Sequence, residues 1–164
     1  MAGCTKDGKT VFYNDFFDGP AIKRISTSGG SPAVVYAGGA SYASISPDDK
    51  RIAFFQFSTT GGEHKNMIVV QNIDGGNRIE LSSMGVHEAR WAPDSSGLIE
   101  SKLTGAGSNL FYQPLDGSKP TQLTHFDTEP FWVASFSFSP DGKQIAIGRA
   151  RVNDSDLVMF SNFR

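Results

Sequence analysis

Three histidines stand beside carboxylates in this chain: His64 follows Glu63, His87 precedes Glu88, and His125 lies just ahead of Asp127 and Glu129. Imidazole and carboxylate together bind borderline transition metals and exchange protons near neutral pH, so the first chemistry to weigh is a metal or acid/base site. No two of these residues fall at a spacing diagnostic of a ligand pair. A second group is the aspartates Asp7, Asp48, Asp94 and Asp141, each in a turn-like setting. Four acidic residues in register suggest a repeated cation site, but an Asp that accepts hydrogen bonds from its own turn backbone is the stronger reading. Trp132, with Phe131 and Phe126 near Glu129 and Pro130, is either an aromatic anchor for a partner or a plug over a neighbouring sheet, and the plug is the reading we favour.

Nucleophilic catalysis has no candidate. The chain has neither a Gly-rich phosphate loop running into a helix nor a Gly-x-Ser-x-Gly elbow. Cys4 is the single cysteine, which excludes an internal disulfide and a thiolate zinc cage. The reading is therefore a non-enzyme without catalytic residues, metal or cofactor. His64, His87, Glu88, His125, Asp127, Glu129 and Trp132 are its candidate contacts to a ligand or protein partner, and Asp7, Asp48, Asp94 and Asp141 are structural.

The elements that position these residues come from a repeat. "CTKDGKTVFY", "ISPDDKRIAF", "WAPDSSGLIE" and "FSPDGKQIAI" align on the four aspartates, which are 41, 46 and 47 residues apart. Four positions after each anchor stands Val11, Ile52, Leu98 or Ile145, and three before it Cys4, Ile45, Trp91 or Phe138. The shared register implies that Cys4 is a small buried hydrophobe and that Trp91 and Phe138 are core. Each unit reads as a strand, a Pro-Asp turn, a second strand, a variable loop, a third strand, a Gly-containing turn and a weaker fourth strand. In "RIAFFQF", Ile52 and Phe54 point one way while Ala53, Phe55 and Phe57 point the other, so both faces must be covered.

No helical period is present, and 18 Gly with 8 Pro interrupt the chain too often for helices to do the covering. Four-stranded antiparallel sheets stacked on one another remain, which is a β-propeller: all-β, four blades of about 1–37, 38–82, 83–126 and 127–164 in one domain, the last without its outer strand. In that order the loops between strands two and three and between blades share one face. It gathers "NDFFDG" (14–19), "TTGGEHKN" (59–66), "SSMGVHE" (82–88), "HFDTEPFW" (125–132) and "ARVNDSD" (150–156).

The Ser-Pro-Asp-Gly-Lys turn at 139–143, with Ser46 to Lys50 beside it, resembles the Pro-Asp repeats of TolB-like propellers, and the likeness covers nearly the whole chain. The last forty residues resemble the C-terminal end of propellers that follow bacterial serine/threonine kinases or winged-helix regulators. The resemblance implies a bacterial binding, scaffold or sensor module, with a periplasmic or other extracytoplasmic location favoured. Metal-dependent lyases and peptidase-associated propellers of similar form keep a catalytic alternative in view, using the loop-face histidines. Against the family pattern, the first unit lacks proline and most of its inner strand, and Asp94 is followed by an extra residue.

Lys plus Arg number 15 against 17 Asp plus Glu, for a net charge of -2 with no like-charge run, which argues against nucleic-acid binding. The first ten residues contain no apolar run of a signal peptide, and no stretch approaches a membrane span. Blade four ends on an unpaired strand, and four open blades leave apolar flanks. The expectation is half of an eight-bladed ring completed by a homodimer, with a closed four-bladed monomer and the end of a longer polypeptide as rivals.

Overall fold

The computed structural model describes residues 3–17, 19–60, 63–105, 107–126, 131–151 and 154–161, and every regular element among them is a β-strand. No helix among them is long and apolar enough to cross a membrane. The strands form four antiparallel sheets, each in simple chain order. The first holds β1 (Gly3–Cys4), β2 (Thr10–Asp15), β3 (Ala21–Ser26) and β4 (Ala33–Ala37). The second holds β5 (Ala40–Ile45), β6 (Arg51–Thr60), β7 (Glu63–Asn72) and β8 (Ile79–Ser82). The third holds β9 (Val86–Trp91), β10 (Gly97–Thr104), β11 (Gly107–Pro114) and β12 (Thr121–Gln122). The fourth has three strands among the described residues, β13 (Trp132–Phe138), β14 (Gln144–Arg151) and β15 (Asp154–Ser161).

All four sheets open on one hairpin. The N–H after each anchoring Asp donates three residues back, from Gly8 to Thr5, Asp49 to Ser46, Ser95 to Ala92 and Gly142 to Ser139, at 2.9 Å in every case. Those four donors have φ between 58° and 69°. Glycine takes that conformation freely, whereas Asp49 and Ser95 hold it against a Cβ clash. The hairpin closes when Thr5, Ser46, Ala92 and Ser139 donate their N–H to the carbonyl five residues ahead. That span is identical in the third sheet, so the extra residue expected after Asp94 does not exist; the sequence differs there in residue type alone.

The anchors stiffen the turns. Asp48 Oδ1 accepts the Ser46 hydroxyl at 2.5 Å and the Lys50 N–H at 3.2 Å. Asp7 does the same with Thr5 and Lys9, and Asp141 with Ser139 and Lys143. Each of those hydroxyls also accepts the N–H of the first residue of the next strand: Thr10, Arg51 or Gln144.

The chain divides into two compact units, Met1–Met84 and Gly85–Arg164, each a pair of sheets packed face to face. In the first, Phe12 and Ile22 meet Ala40, Ala43, Ile52, Phe54 and Val69. In the second, Ala92, Ile99 and Leu110 meet Val133, Phe136, Ile145 and Ile147. Ala53, Ile68 and Val70, on the reverse face of the second sheet, are buried too. Burial on both faces is what the doubly apolar strands require.

Several expectations are corrected. Phe57 is exposed: it lies one residue past the last β5 pair (Ala40 opposite Gln56), where its N–H donates to the Gly39 carbonyl at 2.9 Å, and from there β6 and β7 run on as a two-stranded arm beyond β5 and β8 (Ser82 opposite Met67). That arm also replaces the loop expected at 59–66, since Thr60 still pairs with Glu63. Val86 to Glu88 and Asp154 to Asp156 are likewise strand rather than loop. Cys4 is exposed: strand alternation turns its neighbour Gly3 toward Ile45, so Cys4 lies on the other face. Phe138 is half-buried at the edge of the second core, and Phe136 is the aromatic residue at its centre.

Candidate functional site

The first strands of the last two sheets each carry a β-bulge at the same end. In β9, Val86 pairs with Lys102 and Glu88 with Ser101, leaving His87 as the extra residue. In β13, Val133 pairs with Arg149 and Ser135 with Gly148, leaving Ala134 extra. A bulge re-aims a side chain that strict alternation would have sent elsewhere, which is why bulges gather at sheet rims and beside binding sites.

The two bulged residues line one cleft of about 500 Å³, together with Leu103, Gly107, Trp132 and Val133. Val133 and Gly107 are buried, while Leu103 and Trp132 are 52% and 41% exposed. The cleft thus offers two large apolar side chains to solvent beside one imidazole, His87. One residue stitches the two sheets together there: the hydroxyl of Ser108, itself buried, accepts the Val133 N–H at 2.6 Å, and the Ser108 backbone N–H donates to the Phe131 carbonyl at 3.1 Å. Trp132 sits between those two bonded residues, so the backbone that carries it is fixed.

The remaining candidates scatter. Glu88 is not among the residues lining the cleft and forms an ion pair with Arg90, Oε1 to Nη2 at 2.6 Å. The Arg90 guanidinium in turn lies 5.6 Å from the centre of the Phe136 ring, so this pair braces the core. His125 is exposed on the stretch after β12 and is not among the residues lining the cleft. Its flanks are pinned by Asn109, whose buried Oδ1 accepts the Phe126 N–H at 2.7 Å and the Thr124 hydroxyl at 3.0 Å. Asp127 and Glu129 lie outside the described residues, as does the side chain of His64, whose backbone pairs with Thr59. No group of three metal-ligating side chains occurs among the described residues.

The aromatic cluster divides in the same way. Phe131 is buried, with Arg149 and Arg151 at 4.7 and 4.8 Å from its centre, and Arg149 also covers Phe126 at 4.6 Å. Phe126 and Phe131 are structural, and Trp132 is left facing outward. Sequence reasoning found His87 and Trp132 but missed Leu103, Gly107, Val133 and Ala134. Those four carry no chemical signature, and a bulge depends on cross-strand register that a single strand does not reveal.

No family model and no curated protein matches the sequence. Solved structures do. TolB from Acinetobacter baumannii is similar with a TM-score of 0.76 and 22% identity, over 99% of this chain and 40% of that one. A putative TolB from Agrobacterium tumefaciens is similar with a TM-score of 0.76 and 18% identity, over 98% of this chain and 60% of that one. A prolyl endopeptidase matches with a TM-score of 0.73 and 18% identity, over 95% of this chain and 27% of that one. This chain therefore spans about half the length of the TolB chains it matches. The likeness is one of fold, and the fold is a TolB-like β-propeller.

Proposed function

We propose that this chain is a non-catalytic binding module of a TolB-like propeller and that it takes up an apolar group of a protein partner or small ligand in the cleft lined by His87 and Trp132. The observation that carries the reading is that two bulges, 47 residues apart in sequence, bring His87 and Ala134 to one cleft beside an outward-facing Trp132. A solvent-exposed Trp132 is the kind of side chain that anchors interface hot spots, and the exposed Leu103 beside it adds apolar surface to the same cleft. The resemblance to TolB supports an extracytoplasmic setting, and the similarity to a prolyl endopeptidase leaves an enzyme-associated parent as the competing reading.

Quantitative pull-down with the wild-type chain, Trp132→Ala and the distant surface variant Asp116→Asn tests this. The expected result is a partner kept by the wild type and Asp116→Asn and lost by Trp132→Ala. Equal recovery by all three overturns the reading.

A further inference from the structure

At the opposite end of the same two sheets lies a second cavity, of about 560 Å³, lined by Ala92, Asp94, Ser96, Ile99, Tyr112 and Leu123 among others. Its walls are mainly apolar, and Asp94 is the one charged residue among those that line it. It coincides with the place where the third turn departs from the other three. Thr5, Ser46 and Ser139 stand two residues before their anchors, but Ala92 stands before Asp94. Lys9, Lys50 and Lys143 stand two residues after, but Ser96 follows Asp94. The third turn has thus lost both the hydroxyl that occupies the anchor elsewhere and the cation that accompanies it.

What replaces them, the buried Ala92 and the exposed Ser96, stands with the exposed Asp94 among the residues that line this cavity. Asp94 Oδ1 accepts the N–H and hydroxyl of Ser96, at 2.9 and 2.6 Å, and Ser96 Oγ accepts the Tyr112 hydroxyl at 3.0 Å. Those Ser96 bonds hold the Asp94 carboxyl below its usual range, with no cationic side chain contributing. Tyr112 reaches that position because Gly97 lacks a Cβ: an added methyl there would meet the Tyr112 ring at 2.6 Å. The other sheets have Thr10, Arg51 and Gln144 at the same place. Three substitutions within one repeat therefore build an apolar chamber with an aromatic wall and an ionised carboxylate that lacks a counter-ion among the described residues.

We infer that this chamber is a binding site for a small organic cation, an ammonium group on an apolar body, with Asp94 as the counter-charge and Tyr112 as the ring that the cation or its body lies against. A carboxylate beside a π-face favours such a ligand over a neutral one of the same shape, because the charge adds to apolar burial shared by both. This site is separate from the His87–Trp132 cleft, and either assignment survives failure of the other.

The test is calorimetric titration of the chain with benzylammonium and, separately, with benzyl alcohol at pH 7. Saturable binding of the ammonium, at least tenfold tighter than the alcohol, is expected. Ser96→Lys restores the residue found in the other three turns and supplies an internal cation; it should fold normally and lose ammonium binding at least tenfold. Asp94→Asn should bring the ammonium and the alcohol to equal affinity. Equal affinity in the wild type, no saturable binding of the ammonium, or undiminished binding by a folded Ser96→Lys variant overturns the inference.

Discussion

Arg149 grips Asp156 across the β14–β15 pair with two parallel bonds, Nε to Oδ1 at 3.0 Å and Nη2 to Oδ2 at 2.7 Å. The fork holds the guanidinium plane where it lies over both Phe126 and Phe131. The carboxylate is the more solvated partner, so the ion pair orients the arginine and the stacking stabilises the fold. Arg149→Ala should cost about 1–2 kcal/mol, and Arg149→Lys should recover little of it because an ammonium has no flat face to stack. Urea unfolding checks this, with Asp156→Asn as the control of small effect. If Asp156→Asn costs as much as Arg149→Ala, the stacking explanation is wrong.

The core of the second unit centres on Phe136, packed among Ile99, Leu110, Ile145 and Ile147. Phe136→Ala should cost about 3–5 kcal/mol, the range for emptying a fully buried aromatic site, and Phe138→Ala roughly half as much, because part of its ring already faces water. The order of the two variants in a denaturant titration is the measurement. A reversed order would mean that β13 is misregistered.

Glu100 gives the chain a pH dependence of unusual sign. It is fully buried, neither carboxyl oxygen has a hydrogen-bond partner among the described residues, and burial raises its pKa to about 7, against a weaker opposing pull from Lys102. The folded value lies above the ordinary 4.5, so the neutral acid is the form that suits the fold. Its contribution is complete below the unfolded pKa, is lost as pH rises from about 4.5 through 7, and levels off above that, a loss of roughly 3 kcal/mol. The turn aspartates work the other way: hydrogen bonds from Thr5, Ser46, Ser96 and Ser139 and from nearby backbone N–H groups hold Asp7, Asp48, Asp94 and Asp141 low, so their contribution fades as pH falls through the acid range. Greatest stability is expected in mild acid. Glu100→Gln should remove the decline between pH 5 and 8 in thermal melts, and an unchanged decline would show that Glu100 is not its source.

The repeat was legible because a turn constrains residue types locally. Asp at the anchor is set by the turn within one hairpin, Pro before it is favoured there in three of the four, and all four hairpins close over the same span. Depth was less legible. Cys4 and Trp91 occupy the same repeat position, yet one is exposed and the other buried, because burial is decided by what the facing sheet presents and not by register within the strand. The loop face was overdrawn for a related reason. Gly61-Gly62 is a two-residue hairpin signature in the sequence, and the polar residues on either side of it, which have the composition of a loop, belong to paired strands that project beyond the sheet. His87 and Trp132 were singled out by residue type; that they meet depends on the bulges at His87 and Ala134, which arise from pairing between strands.

The most direct test of the binding assignment is site-specific photocrosslinking in cells that make the protein, with a benzoylphenylalanine placed at Ala134, which lines the cleft beside Trp132, and in parallel at the exposed Asp116 at the other end of the third sheet. A discrete adduct from position 134 that is missing from position 116, and that disappears when Trp132→Ala is added, is the predicted result. No adduct at 134, or the same adducts from both positions, would contradict it.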